Sequence, residues 1–145
     1  MTEEATFVRL AKPTDQESVW PLARDLATSF RLDRAAFDAA FEALVDAEHA
    51  LVLVAETPQL GVVGYLLAHS HGTFLANGPV AWVEEVMVDA QMRRTGVGRA
   101  LMTRAERWSQ TVGAAYVALA SRRAGEFYRA LGYEDSAVFY RKVLP

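Results

Sequence analysis

An arginine-rich segment with two closely spaced glycines is the part of the chain best suited to bind an anion. It reads Arg-Arg-Thr-Gly-Val-Gly-Arg over residues 93–99, between an apolar run typical of a strand and a segment with helical periodicity. Glycine lets the backbone approach a ligand closely, and the first amides of a helix have no partner inside that helix. Together with the helix dipole and the arginine side chains, these amides suit a pyrophosphate.

Two common phosphate-binding loops are excluded by the residues themselves. A P-loop needs a lysine after its last glycine, but the chain has no lysine between Lys12 and Lys142. A Rossmann loop needs a third glycine where Leu101 stands, and an acid near residue 118 to hold a ribose. The pattern that remains is R-x-x-G-x-G at a strand–helix junction. The alternative interpretation is a basic tight turn that enters a helix and binds nothing.

Two adjacent carboxylates, Glu84 and Glu85, lie in the strand that precedes this loop. A carboxylate can take a proton from an attacking group, directly or through water. Because neighbouring residues of a strand point to opposite faces, we expect only one of the two to face a ligand. Either could instead be a solvated residue, or could bind a cation without taking its proton.

The elements that must position these residues follow from periodicity and turn signals. The predicted elements are a strand at 7–10, a helix opened by a Thr14–Glu17 capping box, a helix from about Asp33, a hairpin over 50–70, a strand at 80–88, a helix from the glycines to Gly113, a buried strand at 114–120, a helix over 122–131 and one or two strands in 133–144. The order strand–loop–helix–strand over 80–120 predicts two parallel strands. The class is α/β, in the wider sense that includes α+β.

The 145 residues contain no repeat and no linker, so we expect one domain over residues 1–145. The absence of cysteine excludes disulfides, thiolate metal sites and a cysteine nucleophile. No signal peptide is visible, and the longest uncharged run, 57–83, is broken by proline, asparagine and glycine. We therefore expect a cytoplasmic protein that makes no membrane contact.

Charge is distributed unevenly along the chain. Residues 1–92 contain five basic and fourteen acidic side chains, and residues 93–145 contain ten basic and four acidic ones. The basic part could face an anionic ligand and the acidic part a cationic one, although both could be solvated helix faces. Nucleic-acid binding is not expected, because no aromatic residues alternate with the basic ones. His69 and His71 have metal-like spacing but no evident third ligand, so no metal site is expected.

Two motifs together resemble a known family. The segment VDAQMRRTGVGRAL is followed about thirty residues later by AxxFYRALGYE, and both resemble the GNAT family of N-acetyltransferases. The resemblance is dense over residues 83–144. It implies a mixed, mostly antiparallel sheet of six to seven strands with helices on both faces and a central cofactor cleft. It also implies transfer of the acetyl group of acetyl-CoA to a primary amine by direct attack. A catalytically silent CoA-binding sensor or assembly module is the alternative.

The resemblance also assigns roles to residues. Tyr128 is implied as the donor of a proton to the departing thiolate, Glu84 as the general base, and Glu85 as the second candidate for that base. The residues implied for acetyl-CoA binding are Val86, Met87, Val88, Arg93, Arg94, Thr95, Gly96, Val97, Gly98, Arg99 and Ser121. Ser121 stands where the family often has asparagine, so its reach is shorter.

The acceptor and the oligomer are less well defined by the resemblance. The strand at 114–120 has no glutamate, which argues against the subgroup that acetylates ribosomal-protein N-termini. A small-molecule amine, or the amine of a lysine or an N-terminus, is the expected acceptor. Trp82 and Phe74 could line its pocket, although core packing is the preferred interpretation for both. The final strand of the family often forms a dimer interface, which implies a homodimer.

Overall fold

The computed structural model describes residues 5–28 and 30–145. The elements are β1 (Phe7–Leu10), α1 (Gln16–Leu26), α2 (Arg34–Val45), β2 (Ala50–Thr57), β3 (Gly61–Gly72), β4 (Pro79–Val88), α3 (Val97–Thr111), β5 (Val117–Leu119) and α4 (Gly125–Ala130). Short 3₁₀ turns at Pro13–Asp15 and Ala90–Met92 precede α1 and α3. The helix starting near Asp33 is confirmed, since the Asp33 carboxylate accepts a hydrogen bond from the amide of Ala36 at 2.9 Å.

The strands form a single sheet in the order β1-β2-β3-β4-β5. The first four strands are antiparallel neighbours, and β5 pairs with β4 in parallel. The predicted hairpin and the predicted parallel pair are both confirmed. The fold is therefore the expected α/β class, a mixed and mostly antiparallel sheet with helices on both faces.

Within residues 5–28 and 30–145 the sheet has five strands rather than six to seven, and the strand predicted in 133–144 is wrong. The strand predicted at 114–120 is also shorter, covering only Val117–Leu119, and it is half-buried. Residues 133–145 form no strand and are largely exposed, because their backbone pairs with no strand in the described part of the chain.

Two layers of apolar side chains cover the sheet. The strands β2 and β3 read as almost continuous apolar runs because both of their faces are buried. The layer between the sheet and α3 contains Leu51, Leu53, Ala55, Val63, Leu66, Ala68, Val83, Val97, Leu101, Met102 and Ala105. The layer between the sheet and the pair α1 and α2 contains Val19, Leu22, Ala23, Phe41, Val52, Val54 and Tyr65.

The start of α1 is held by an ion-pair network rather than by the predicted Thr14–Glu17 capping box. Arg9 donates two bonds to the carboxylate of Asp15, at 2.8 and 2.9 Å, and a third to Glu56 at 2.7 Å. Asp15 also accepts from the amide of Lys12 at 2.7 Å and is only 7% exposed. The hydrogen bonds from Arg9 hold the pKa of Asp15 below its ordinary value.

We expect Asp15→Asn to lower the free energy of unfolding by about 2 kcal/mol at pH 7, because the variant removes one of the two carboxylates that pair with the half-buried Arg9. A carboxylate with a lowered pKa stabilises the fold above its unfolded pKa, near 4, and the contribution is lost as the pH falls through the folded value. Urea unfolding at pH 7 and at pH 3 measures both effects. The control is Asp25→Asn, which removes an exposed carboxylate paired with Arg24 and should change little. Equal losses in the two variants would contradict the prediction.

Candidate active site

The strand β4 pairs with β5 over only part of its length. Its pairing with β5 covers only Ala81 to Val83, whereas its pairing with β3 continues to Val88. From residue 84 to 88 one edge of β4 therefore has no strand partner among the described residues. The backbone groups of Val86, Met87 and Val88, predicted to follow the pantetheine arm, lie on this open stretch.

A β-bulge lies where the two strands part. Glu85 pairs with Leu67, but the next pair along β3 joins Ala68 to Val83, so Glu84 is the extra residue. Val83 and Val86 both pack toward α3 although they are three residues apart. The bulge interrupts the strict alternation on which the expectation that only one carboxylate faces a ligand was based, so that expectation stays a prediction.

The two carboxylates differ in their surroundings. The side chain of Glu84 is exposed, and no ion pair in the described part of the chain involves it or Glu85. Glu85 is half-buried beneath α1 and α2, where its Oε1 atom accepts a hydrogen bond from the hydroxyl of Tyr65 at 2.7 Å. Glu85 also borders a cavity of about 80 Å³ whose other lining residues are Val19, Ala23, Phe37, Ala40, Phe41, Leu44, Val52, Tyr65 and Leu67.

Tyr65 is a site residue that the sequence patterns do not indicate, and it is 3% exposed in the middle of β3. Burial, followed by the nearby charge of Glu85, raises the pKa of Tyr65. The phenol therefore keeps its proton at neutral pH and donates it to the hydrogen bond. Nothing in the local pattern of β3 indicates a polar partner, because the partner lies on another strand.

The arginine-glycine loop presents a run of free amides. Ala100 donates the first backbone bond of α3, to the oxygen of Gly96 at 3.0 Å. No amide from residue 93 to 99 has an acceptor in the part of the chain that is described. Positive φ angles of 65° at Arg94 and 90° at Gly96 turn the backbone here, and the second of these suits glycine. The loop therefore has the free donors that a pyrophosphate needs.

Three arginine side chains add positive charge to the loop. Arg93, Arg94 and Arg99 are exposed, and none has a carboxylate partner within residues 5–28 and 30–145. Arg93 donates from Nε to the oxygen of Val88 at 3.3 Å, which holds it at the end of β4. Thr95 donates from its hydroxyl to the oxygen of Met92.

The short helix α4 packs against the start of α3. A Cβ atom added to Gly98 would lie 3.2 Å from Cζ of Phe127, so the ring depends on the glycine for its place. Phe127 contacts Tyr128 edge-on, with ring centroids 5.0 Å apart. Phe127 therefore lies between Gly98 of the loop and Tyr128, the predicted proton donor.

The ring of Tyr128 is packed, while its hydroxyl has no hydrogen-bond partner among the described residues. Its other aromatic neighbour is Tyr133, with ring centroids 5.9 Å apart, and the hydroxyl of Tyr133 donates to Glu106. Burial raises the pKa of Tyr128, so this phenol is protonated at neutral pH. A protonated hydroxyl without a partner can act as an acid.

The family follows from comparison with known proteins. A family model described as the acetyltransferase (GNAT) family matches residues 16–133. The chain belongs to the GNAT acetyltransferase family. It is an acetyl-CoA-dependent N-acetyltransferase that moves the acetyl group to an amine. Aminoglycoside N(6')-acetyltransferase type 1 from Stenotrophomonas maltophilia is 28% identical over 159 residues, which cover 99% of this chain and 97% of that protein.

Solved structures share the fold at lower identity. Glucosamine-6-phosphate N-acetyltransferase from Arabidopsis thaliana superposes with a TM-score of 0.85 at 19% identity, covering 98% of this chain and 100% of that one. Aminoglycoside N-acetyltransferase AAC(6')-Iy in complex with CoA gives a TM-score of 0.84 at 22% identity, covering 97% of each chain. The GNAT fold of this chain is therefore common to enzymes that act on different amines.

The structure of this GNAT domain also bears on the predicted roles of Ser121 and Phe74. The Ser121 hydroxyl accepts a hydrogen bond from the amide of Ala124 at 3.0 Å, which starts α4. Only its own proton and remaining lone pair are available to a cofactor. Phe74 is fully exposed in the turn between β3 and β4, so the prediction that it packs in the core is wrong.

One residue after α4 packs against a side chain of β4. Phe139 stacks on Trp82 with ring centroids 6.3 Å apart. The guanidinium of Arg141 lies 5.7 Å from the ring centre of Phe30, between α1 and α2. Trp82 is thus half-buried beneath the final segment. No described helix is long and apolar enough to cross a membrane.

Proposed function

We propose that this GNAT protein acetylates a primary amine of a small cationic molecule by direct attack of the amine on the thioester of acetyl-CoA. The observation that carries the proposal is the position of Glu84 and Glu85 at the bulge, where β4 separates from β5. That position puts two carboxylates, neither of which pairs with a basic residue that the structure describes, beside the open edge of the strand. The relative that acts on aminoglycosides supports the same class of acceptor.

The loop and the open strand are proposed to hold acetyl-CoA. The free amides and the arginine side chains of residues 93–99 would bind the pyrophosphate, as anions bind at other helix N-termini. The backbone of residues 86–88 would follow the pantetheine arm. Ser121 would make at most one additional bond. The chain offers no cysteine for an acetyl-enzyme, which supports direct transfer.

The amine must lose a proton before it attacks. An alkylammonium has a pKa near 10.4, so only about 1 in 2,500 molecules is neutral at pH 7. We propose Glu84 as the base, because it is exposed and can exchange its proton with solvent. Glu85 would hold the acceptor from the side of α1 and α2.

The thiolate must gain a proton as it leaves. The nitrogen forms a bond to the carbonyl carbon, the carbon–sulfur bond breaks, and the sulfur takes the proton of the Tyr128 hydroxyl. The nitrogen loses its second proton to solvent as the amide forms, solvent returns a proton to Tyr128, and Glu84 releases the proton that it took from the ammonium group. The products are an amide and CoA.

The acceptor is tested by a screen of amines with detection of the released thiol. We expect turnover with aminoglycosides or polyamines and little with lysine peptides, because the carboxylates and the acidic N-terminal part of the chain favour compact cations. Binding of acetyl-CoA without turnover of any amine would support the silent CoA-binding module instead.

Glu84→Gln should lower kcat/KM about 100-fold near neutral pH, since a glutamine cannot accept the proton of the ammonium. The loss should shrink as the pH rises and neutral amine becomes abundant. A series of kcat/KM values from pH 6 to pH 10 measures both features. Glu48→Gln removes an exposed carboxylate before β2 and should change neither. An equal loss at every pH would assign Glu84 to acceptor binding.

The exposed final segment supports a homodimer as part of this proposal. Val138, Tyr140, Val143 and Leu144 are all more than half exposed, although they are apolar or aromatic. Covering such side chains stabilises an interface between copies of a chain. We propose that the enzyme works in the cytoplasm, where acetyl-CoA is supplied.

A further inference from the structure

Tyr65 is a buried residue whose hydroxyl makes a polar contact with a residue of the candidate site. Its ring lies in the core beneath α1 and α2, and its hydroxyl reaches Glu85. In the register of the sheet, Tyr65 stands opposite Met87 and Glu85 stands opposite Leu67. The two residues are therefore diagonal neighbours on one face, within reach of a long aromatic side chain.

The contact fixes one oxygen of the carboxylate and leaves the other free. Glu85 has no basic partner in the described ion pairs, and the cavity beside it is otherwise lined by apolar side chains and Tyr65. A half-buried carboxylate in such surroundings gains from an incoming cation. The hydroxyl of Tyr65 holds that carboxylate in one orientation before the cation arrives, which reduces the entropy lost on binding.

We propose that Tyr65 is a positioning residue, which orients Glu85 so that its free oxygen binds the ammonium group of the acceptor. This proposal rests on the proposed function, since it needs an amine at the bulge of β4. Tyr65 does not touch the reacting atoms. It acts on acceptor binding through Glu85 alone.

The test is Tyr65→Phe, which removes only the hydroxyl. We expect the KM for the amine to rise about 10- to 100-fold, the range for a lost hydrogen bond to a charged group. The kcat value and the KM for acetyl-CoA should stay within about twofold of wild type, since the ring and the cofactor loop are unchanged. A purely structural role would change all three constants or none of them.

A double-mutant cycle shows whether the effect passes through Glu85. Glu85→Gln alone should weaken acceptor binding at least as much, and Tyr65→Phe should add little in that background. Additive losses would overturn the proposal. The matched control is Tyr133→Phe, which removes another tyrosine hydroxyl that donates to a glutamate, Glu106, at 2.7 Å. This control should leave the KM for the amine unchanged.

Calorimetry with the amine in the presence of CoA separates the two proposals, because it needs no turnover. We use the amine from the screen, or neamine and spermidine if none is turned over. Binding without transfer would defeat the proposed function alone. Equal binding by wild type and Tyr65→Phe would overturn the role of Tyr65 alone. Binding of no amine by the wild type would overturn both.

Discussion

Gly98→Asp is expected to reduce acetyl-CoA affinity at least about 100-fold, since like charges brought together in a binding site cost several kcal/mol. Gly98 is the second residue of α3, within the run of free amides. The carboxylate of Asp at this position would lie in the anion site and repel the pyrophosphate of acetyl-CoA. Isothermal titration with acetyl-CoA, and the rise in melting temperature that the ligand causes, measure the loss.

The variant needs a control for its effect on packing. Any side chain at Gly98 meets the ring of Phe127 at 3.2 Å, so part of the loss could come from a displaced α4. Gly98→Ala adds the same Cβ atom without the charge. We expect Ala to cost much less affinity than Asp. An acidic residue near a helix N-terminus does not by itself destabilise the helix, so unliganded Asp and Ala variants should unfold at similar temperatures. Equal affinities for acetyl-CoA would contradict an anion site at the loop.

Tyr128→Phe is expected to lower kcat and kcat/KM together by about 100- to 1,000-fold, the usual scale for one positioned acid. The ring keeps its contacts with Phe127 and Tyr133, so the fold should be preserved. A proton given to the thiolate acts mainly in the transition state, so acetyl-CoA affinity should remain near wild type. Steady-state kinetics with one confirmed amine, together with a cofactor titration, measure these values.

The leaving group sets a limit on this effect. A thiol has a pKa near 8.5 and leaves fairly well without help, which favours the lower end of the range. Tyr133→Phe is the matched control, because it removes a hydroxyl from the same aromatic cluster but from a residue bonded to Glu106. It should retain most of the wild-type kcat. An unchanged kcat in Tyr128→Phe would assign that residue to packing alone.

Local patterns were sufficient for much of the fold. The hairpin, the parallel pair β4–β5 and the helix α3 were predicted because periodicity and turn residues act over a few positions. The contacts at the start of α1 were not predicted, since Asp15 bonds to Arg9 on β1 and Arg9 also bonds to Glu56 on β2. The strand expected after Gly132 was also wrong, because the backbone of residues 133–145 pairs with no strand in the described part of the chain.

For the candidate site, the amino-acid sequence by itself determined the loop of residues 93–99, because glycines and a following helix leave backbone amides free wherever that pattern occurs. It also placed two carboxylates and a tyrosine at family-like positions. Only the tertiary structure decided which residues surround them. Three features of the site join residues that are distant along the chain. They are the bulge at Glu84, the hydrogen bond from Tyr65 to Glu85, and the contact of Phe127 with Gly98. Such contacts depend on register and packing between elements, which no short stretch of sequence encodes.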